Sequence, residues 1–241
     1  MSMIFSLTGP SMDLLTDVEL HLDGLFTIKD LGAARFFLGL QIARSDVGLH
    51  LHQSKYIHDI VSDAGLLDAK SVTTPFSLGL KLSQDSGAAL FDPEPYRRLV
   101  GRLLYLGFTR PDISYCVQQL SQFIQQPCEG HSRAALHVVR YLKGTPTTGL
   151  FFPASNSFQL RAFCDADWAT CSDSRRSLTG FCVFLGDALV FWITKNNPLC
   201  PSSLAEAEHR SMGSTVCELQ WISYLLSDFA SSSCPYSLIL P

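Results

Sequence analysis

The apolar residues of this chain change their period at Gly144-Thr145-Pro146, and that change constrains the fold more than any other feature. Before it, three stretches repeat apolar positions at helical spacing. They are Tyr96, Leu99, Val100, Leu103 and Leu104; then Ile113, Cys116, Val117, Leu120, Phe123 and Ile124; then Ala135, Val138, Val139 and Leu142. After it, Phe158 to Cys164 alternates in part, Leu178 to Leu185 is rich in β-branched and aromatic residues, and Ala188 to Ile193 follows a Gly186-Asp187 turn. A three-stranded meander is expected there, followed by a long helix over about 204–227 and a further apolar run at Ser237-Leu238-Ile239-Leu240. Helices and strands grouped in this way make an α+β chain.

The first part of the chain is mixed. Leu14, Leu15, Val18, Leu22 and Leu25 predict a helix over 11–25 with Ser11 as its N-cap. Phe36 to Ala43 and Leu49 to His52 predict a β-hairpin around Ser45-Asp46-Val47-Gly48. Tyr56, Ile57, Ile60, Val61 and Ala64 predict a helix over about 53–66 that stops at Gly65. Pro75, Gly79, Gly87, Pro93 and Pro95 then interrupt regular structure, so 71–95 is expected to be a linker or surface excursion. The expected divisions are 1–95, 96–145 and 158–241.

At 241 residues, 46% of them hydrophobic and 17% charged, the chain is globular rather than disordered. No apolar run approaches the ~20 residues of a membrane-spanning helix. The start, Met1-Ser2-Met3-Ile4-Phe5, lacks the basic residues of a signal peptide, so an intracellular location, cytoplasmic or nuclear, is expected. The eight cysteines, Cys116, Cys128, Cys164, Cys171, Cys182, Cys200, Cys217 and Cys234, form no C-x-x-C pair and no zinc-ligand spacing with histidine.

Charge is unevenly distributed within the net −4. Residues 1–95 hold 6 basic and 12 acidic residues (−6), 96–144 hold 7 and 2 (+5), and 145–241 hold 5 and 8 (−3). The basic block contains Arg97, Arg98, Arg102, Arg133, Arg140 and Lys143, candidates for contact with a phosphate backbone. On the 130–143 helix, Arg133, His137 and Arg140 recur at i, i+4 and i+7, away from the apolar stripe. A solvated helix face would show the same pattern.

Two carboxylate positions suggest chemistry. Asp165 and Asp167 end the first strand of the meander two residues apart, where both can face one way and hold a hard cation such as magnesium. An acidic turn is the plainer reading. Ser203 and Glu206 fit a capping box at the start of the long helix. Glu208 shares a helical face with Met212, Thr215 and Leu219, the face expected to pack on the sheet, where an unpaired acid is costly.

The strings Cys164-Asp165-Ala166-Asp167-Trp168-Ala169, Ser174 to Phe181, Trp192-Ile193-Thr194-Lys195 and Ser202 to Arg210 resemble the ribonuclease H domain of copia-type Pol polyproteins. Upstream, Phe26 to Gly32, Phe37-Leu38-Gly39, Tyr96 to Gly101, Thr109 to Ile113 and Arg140 to Thr145 resemble the C-terminal part of the adjoining reverse transcriptase, in the family's order. The resemblance implies a reverse-transcriptase palm remnant over 1–95, with the 35–52 hairpin similar to a primer grip. It also implies a thumb- or connection-like helical segment over 96–145 and an incomplete ribonuclease H-like mixed sheet with a packed helix over 158–241. It makes Asp165 and Glu208 catalytic, metal-binding carboxylates of a site that uses two magnesium ions, about 4 Å apart, to cut the RNA strand of an RNA–DNA hybrid. RNA or hybrid is the implied partner, lying along the basic helices.

The sequence also departs from the family's pattern. The Tyr-Val-Asp-Asp pair that carries polymerase chemistry is expected just before a segment like Ile4 to Gly9, yet no aspartate precedes Asp13, so DNA synthesis is not expected. The family's fourth ribonuclease strand carries a Cys-Asp-Asn aspartate, whereas Ser237-Leu238-Ile239-Leu240-Pro241 stops short of it. Two carboxylates would then stand where three or four are wanted. An unpaired sheet edge is expected, with Phe191 and Trp192 in an unstable half-domain. The expected function is that of a truncated, catalytically inactive reverse transcriptase/ribonuclease H fragment. The alternatives are a magnesium-dependent ribonuclease H and a non-catalytic nucleic-acid-binding module.

Overall fold

The computed structural model describes residues 11–26, 28, 29, 32–77, 79–168, 173, 176–196, 203–229 and 236–239. The sequence blocks at Ile4–Gly9 and Ser174-Arg175, and the cysteines at 171, 200 and 234, lie outside the described residues.

Four helices carry the apolar stripes of the first half: α2 (Ser54–Asp63), α3 (Glu94–Leu106), α4 (Ser114–Ser121) and α5 (Glu129–Gly144). Ile57, Ile60 and Val61 of α2 join Tyr96, Val100 and Leu103 of α3, Cys116 and Leu120 of α4, and Val138, Val139 and Leu142 of α5 in one buried cluster. Spacings of three and four residues put these side chains on one face of each helix, which is why they meet. This core draws on residues from both sides of position 95. By contrast, α1 (Met12–Leu25) has the expected amphipathic pattern but buries none of its residues.

The irregular 71–95 segment is held down rather than loose. Leu90 N–H donates to Pro127 O (2.9 Å), Glu129 N–H to Ala88 O (2.9 Å) and Gly130 N–H to Ser86 O (2.8 Å). A Cβ at Gly130 would meet Ser86 O at 2.3 Å, so the strap can approach only a glycine here. Buried His131 completes the cap of α5: its Nδ1 accepts Cys128 N–H (2.9 Å), and the opposite nitrogen, carrying the proton, donates to Ser83 O (2.9 Å). Burial lowers its pKa and keeps the ring neutral, stacked on Phe123 at 3.9 Å.

Arg110 joins the two ends of the helical block. Its guanidinium is fully buried and forks onto Asp112 (2.9 and 2.7 Å), while Thr145 accepts at its carbonyl (2.8 Å) and hydroxyl (2.7 Å). The ring of Tyr141 lies 5.6 Å from the guanidinium carbon, and the Tyr141 hydroxyl donates to Asp112 (2.7 Å). Burial pushes the Asp112 carboxyl up, but the Arg110 and Tyr141 bonds outweigh it and hold the pKa below its usual value.

The first sheet runs β1 (Phe36–Phe37), β2 (Leu40–Ser45), β3 (Gly48–His52), β4 (Leu150–Pro153), all antiparallel. The single strand expected over 36–43 is two, because Leu38 (φ 46°) and Gly39 (φ 78°) turn the chain back on itself. Strand β4 had no expectation in the sequence. It pairs Leu51 with Leu150 and extends the hairpin into a sheet after about 100 intervening residues.

The second sheet has the order β7 (Ala188–Asn196), β6 (Leu178–Leu185), β5 (Leu160–Asp167), β8 (Tyr236–Ile239). The first three form the expected antiparallel meander; β8 is parallel to β5, pairing Leu160 with Tyr236 and Phe163 with Ile239. The apolar run expected at 237–240 is thus a strand, and it covers the β5 edge along 160–163. Helix α6 (Leu204–Phe229) packs on one face, where Leu219 and Ile222 meet Leu160, Ala162, Cys164, Phe181 and Val183. The chain is α+β. Phe191 and Trp192 are half-buried: Phe191 packs against Phe181, and Trp192 Nε1 donates to Gly107 O (3.1 Å), fastening β7 to the turn after α3. Among the described residues, no helix is long and apolar enough to cross a membrane.

Replacing Arg110 with alanine leaves Asp112 and Thr145 without their buried partner. The expected loss is about 3–5 kcal/mol of unfolding free energy, read from the denaturant midpoint of the intact chain. A loss below about 1 kcal/mol would show that the network is incidental.

Candidate carboxylate site and nucleic-acid interface

Burial alternates along β5: Leu160, Ala162, Cys164 and Ala166 are buried, and Phe163, Asp165 and Asp167 are exposed. The period of two puts both aspartates on the face turned away from α6. Asp165 accepts the N–H of Ala166 (2.8 Å), and its carbonyl accepts the hydroxyl of Ser211 on α6 (3.0 Å). That bond fixes the first turns of α6 beside the strand at Asp165. Partial burial, and then the neighbouring charge of Asp165, hold the Asp167 carboxyl above the usual carboxylate range.

Glu208 lies elsewhere than the periodicity suggests. The line of α6 that meets the sheet is Ala207, Ser211, Thr215, Leu219 and Ile222, and Glu208 stands beside it, exposed. The expected cost of an unpaired acid against the sheet does not arise. Nearby, Ser203 Oγ accepts the N–H of Glu206 (3.2 Å), as a capping residue should, and the Glu206 carboxylate receives Arg210 (3.0 and 2.8 Å). Asp165 and Glu208, expected to hold a cation together, lie on different elements, and Asp165 faces away from α6, the helix that carries Glu208. Among the described residues, no group of three or more His, Cys, Asp or Glu side chains could hold a metal ion.

Of the six basic candidates, four are engaged by the fold itself. Arg97 donates to Ile124 O (2.9 Å), Gln125 O (3.2 Å) and Glu94 (2.7 Å). Arg102 pairs with Asp63 (2.5 Å) and lies over the Tyr56 ring at 5.3 Å. Arg140 donates to Lys70 O (2.8 Å), and Lys143 to Leu67 O and Ala69 O (2.5 and 2.6 Å). His137 is bonded to Thr74 O (3.1 Å), so the face of α5 expected to be bare lies under residues 67–74. Arg98 and Arg133 remain exposed, with no hydrogen bond or ion pair to any described residue.

Arg98 and Arg102 line a cleft of about 510 Å³ between α2, α3 and α5, together with Asp63, Leu99, Ser132 and Leu136. Asp63 and Ser132 stood in no motif; only packing brings them together. Arg98 alone among the candidates is both unpaired and in a concave site.

The family model described as reverse transcriptase (RNA-dependent DNA polymerase) matches residues 3–78. The chain is 43% identical over 222 residues to the retrovirus-related Pol polyprotein from transposon RE1 of Arabidopsis thaliana, covering 92% of this chain and 15% of that protein. It is 42% identical to an uncharacterized mitochondrial protein of Arabidopsis thaliana, covering 90% of each chain. A putative transposon Ty5-1 protein of Saccharomyces cerevisiae is 33% identical over 88% of this chain and 70% of its own length. The chain thus spans a small part of the full-length polyprotein and most of the two shorter relatives.

The charge on Asp165 contributes to the raised pKa of Asp167, but burial contributes more. Asp165→Asn should therefore lower the Asp167 midpoint while leaving it above the ordinary carboxylate value, as read by carboxyl-carbon NMR titration. An unchanged midpoint would separate the two groups electrostatically.

Proposed function

The chain belongs to the copia-type family of retrotransposon Pol polyproteins, and from that membership we propose that it binds RNA or RNA–DNA hybrid through its basic helices without cutting it. The observation that carries this reading is the pair of unpartnered guanidinium groups, Arg98 on α3 and Arg133 on α5, in an otherwise acidic chain. Phosphate oxygens accept from arginine at two points and would satisfy groups that the fold leaves without a partner. Arg97, Arg140 and Lys143 then contribute positive potential more than direct bonds, since each already holds backbone carbonyls.

A second reading, a magnesium-dependent ribonuclease H, is favoured by Asp165 at a strand end with the first turns of α6 fastened beside it through Ser211. The meander with a long helix on one face is compatible with a ribonuclease H-like half. By the family resemblance magnesium would be held by Asp165 and Glu208 and would supply water activation and charge neutralisation, yet Asp165 faces away from the helix that carries Glu208. Among the described residues no third His, Cys, Asp or Glu joins them, whereas the two-ion arrangement needs three or four carboxylates to hold both cations in line, so no cleavage step is assigned to this chain. Any polymerase activity of the longer relatives is not carried over.

Binding to a labelled hybrid should weaken linearly with the logarithm of salt concentration. Charge reversal at both Arg98 and Arg133 should lower that slope by about 2, near 0.9 for each lost phosphate contact. Affinity that ignores salt would sink the proposal. In a parallel assay with magnesium, the wild-type chain and Asp165→Asn should leave the RNA strand equally intact. Cleavage abolished by Asp165→Asn would instead establish the enzyme.

A further inference from the structure

The cleft between α2, α3 and α5 combines two surfaces that a nucleotide needs and a duplex exterior does not. Its lining is apolar in part, with Ile60, Leu99 and Leu136, and polar in part, with Arg98, Arg102 and the Ser132 hydroxyl. Its volume of about 510 Å³ is in the range of small-molecule sites, and it opens to solvent where Arg98 is exposed. A duplex presents its phosphates on a convex surface, with the bases stacked inside. Such a surface can touch Arg98 but cannot enter a cleft of this size.

We infer that this cleft takes one unstacked nucleotide of a single RNA or DNA strand, with the phosphate on Arg98 and Arg102 and the base against Leu99 and Leu136. The inference rests on the nucleic-acid-binding reading above and narrows it to single strand at this site. Arg102 is held ready to receive a phosphate. The Tyr56 side chain supports its guanidinium and Asp63 takes Nη1, and a guanidinium's five N–H groups exceed what these two partners engage, which leaves donors for a phosphate oxygen. Apolar contact with a base is tolerant of sequence, so no base preference follows. Asp63 opposes the ligand. Its carboxylate lies on the cleft wall and is itself largely exposed, so it repels an incoming phosphate and competes for Arg102.

That opposition gives the proposal a test with effects in both directions. Fluorescence anisotropy on the full chain would follow a labelled single-stranded oligonucleotide and, in parallel, an RNA–DNA hybrid. Arg98→Glu, a change at an exposed side chain, should weaken single-strand binding about tenfold or more, the scale of one lost charge-assisted bond. Asp63→Asn should tighten it. Ser132→Trp, which fills the cleft without altering charge, should lower the ratio of single-strand to hybrid affinity, with circular dichroism confirming the fold. Single-strand affinity indifferent to both Asp63→Asn and Ser132→Trp, while the hybrid still binds, would overturn the cleft and leave the broader reading standing. If the wild-type chain bound neither nucleic acid at low salt, both would fall.

Discussion

The first half of the structure depends on the buried guanidinium of Arg110. A charge taken out of water is tolerated only when it is paired and hydrogen-bonded, and here Asp112 and Thr145 take four bonds from its three nitrogens beside the ring of Tyr141. The bonds reach from the turn before α4 to the residue just past α5, 35 positions away, so they fix where α5 ends. The chain leaving α5 then meets β3 five residues later as β4, and without that exit point the first sheet would end at β3. The same turn sets the Gly107 carbonyl that receives Trp192, so the second sheet is fastened to a loop that Arg110 holds.

The basic segment shows how little a charge count says about available charge. Turns outside regular structure leave carbonyls in need of donors, and Arg97 meets those of Ile124 and Gln125 in the turn after α4. Arg140 and Lys143 do the same for the 67–70 segment, which folds over α5 and removes most of its expected binding face. Of the six candidates, Arg98 and Arg133 alone are without a partner among the described residues. Long side chains with many donors serve structure first when bare carbonyls lie within reach.

The carboxylate site follows similar logic. Alternation along β5 put Asp165 and Asp167 on one face, and the structure agrees, because a period of two depends only on the pleat. Glu208 was harder to place. A helix turns 100° per residue, so a line of contact displaced by one residue moves an acid from the interface to its margin. The packed line through Ala207 and Ser211 is set by what Asp165 and the small side chains of β5 accept from α6, and the helix sequence alone does not contain that information.

By itself the sequence determined the periods, and with them the four helices of the first core, the meander, the long helix and the α+β class. It also carried the family resemblance, because those motifs are strings of adjacent residues. Tertiary structure alone decided that the core crosses residue 95, that 150–153 is a strand, that Leu38 and Gly39 divide the expected first strand, and which cations remain unpaired. The physical reason is range. Helical and strand periodicity is set by neighbours within a turn, whereas Leu51 with Leu150, Arg140 with Lys70 and Trp192 with Gly107 pair across 70 residues or more. Such contacts depend on where every intervening element has packed.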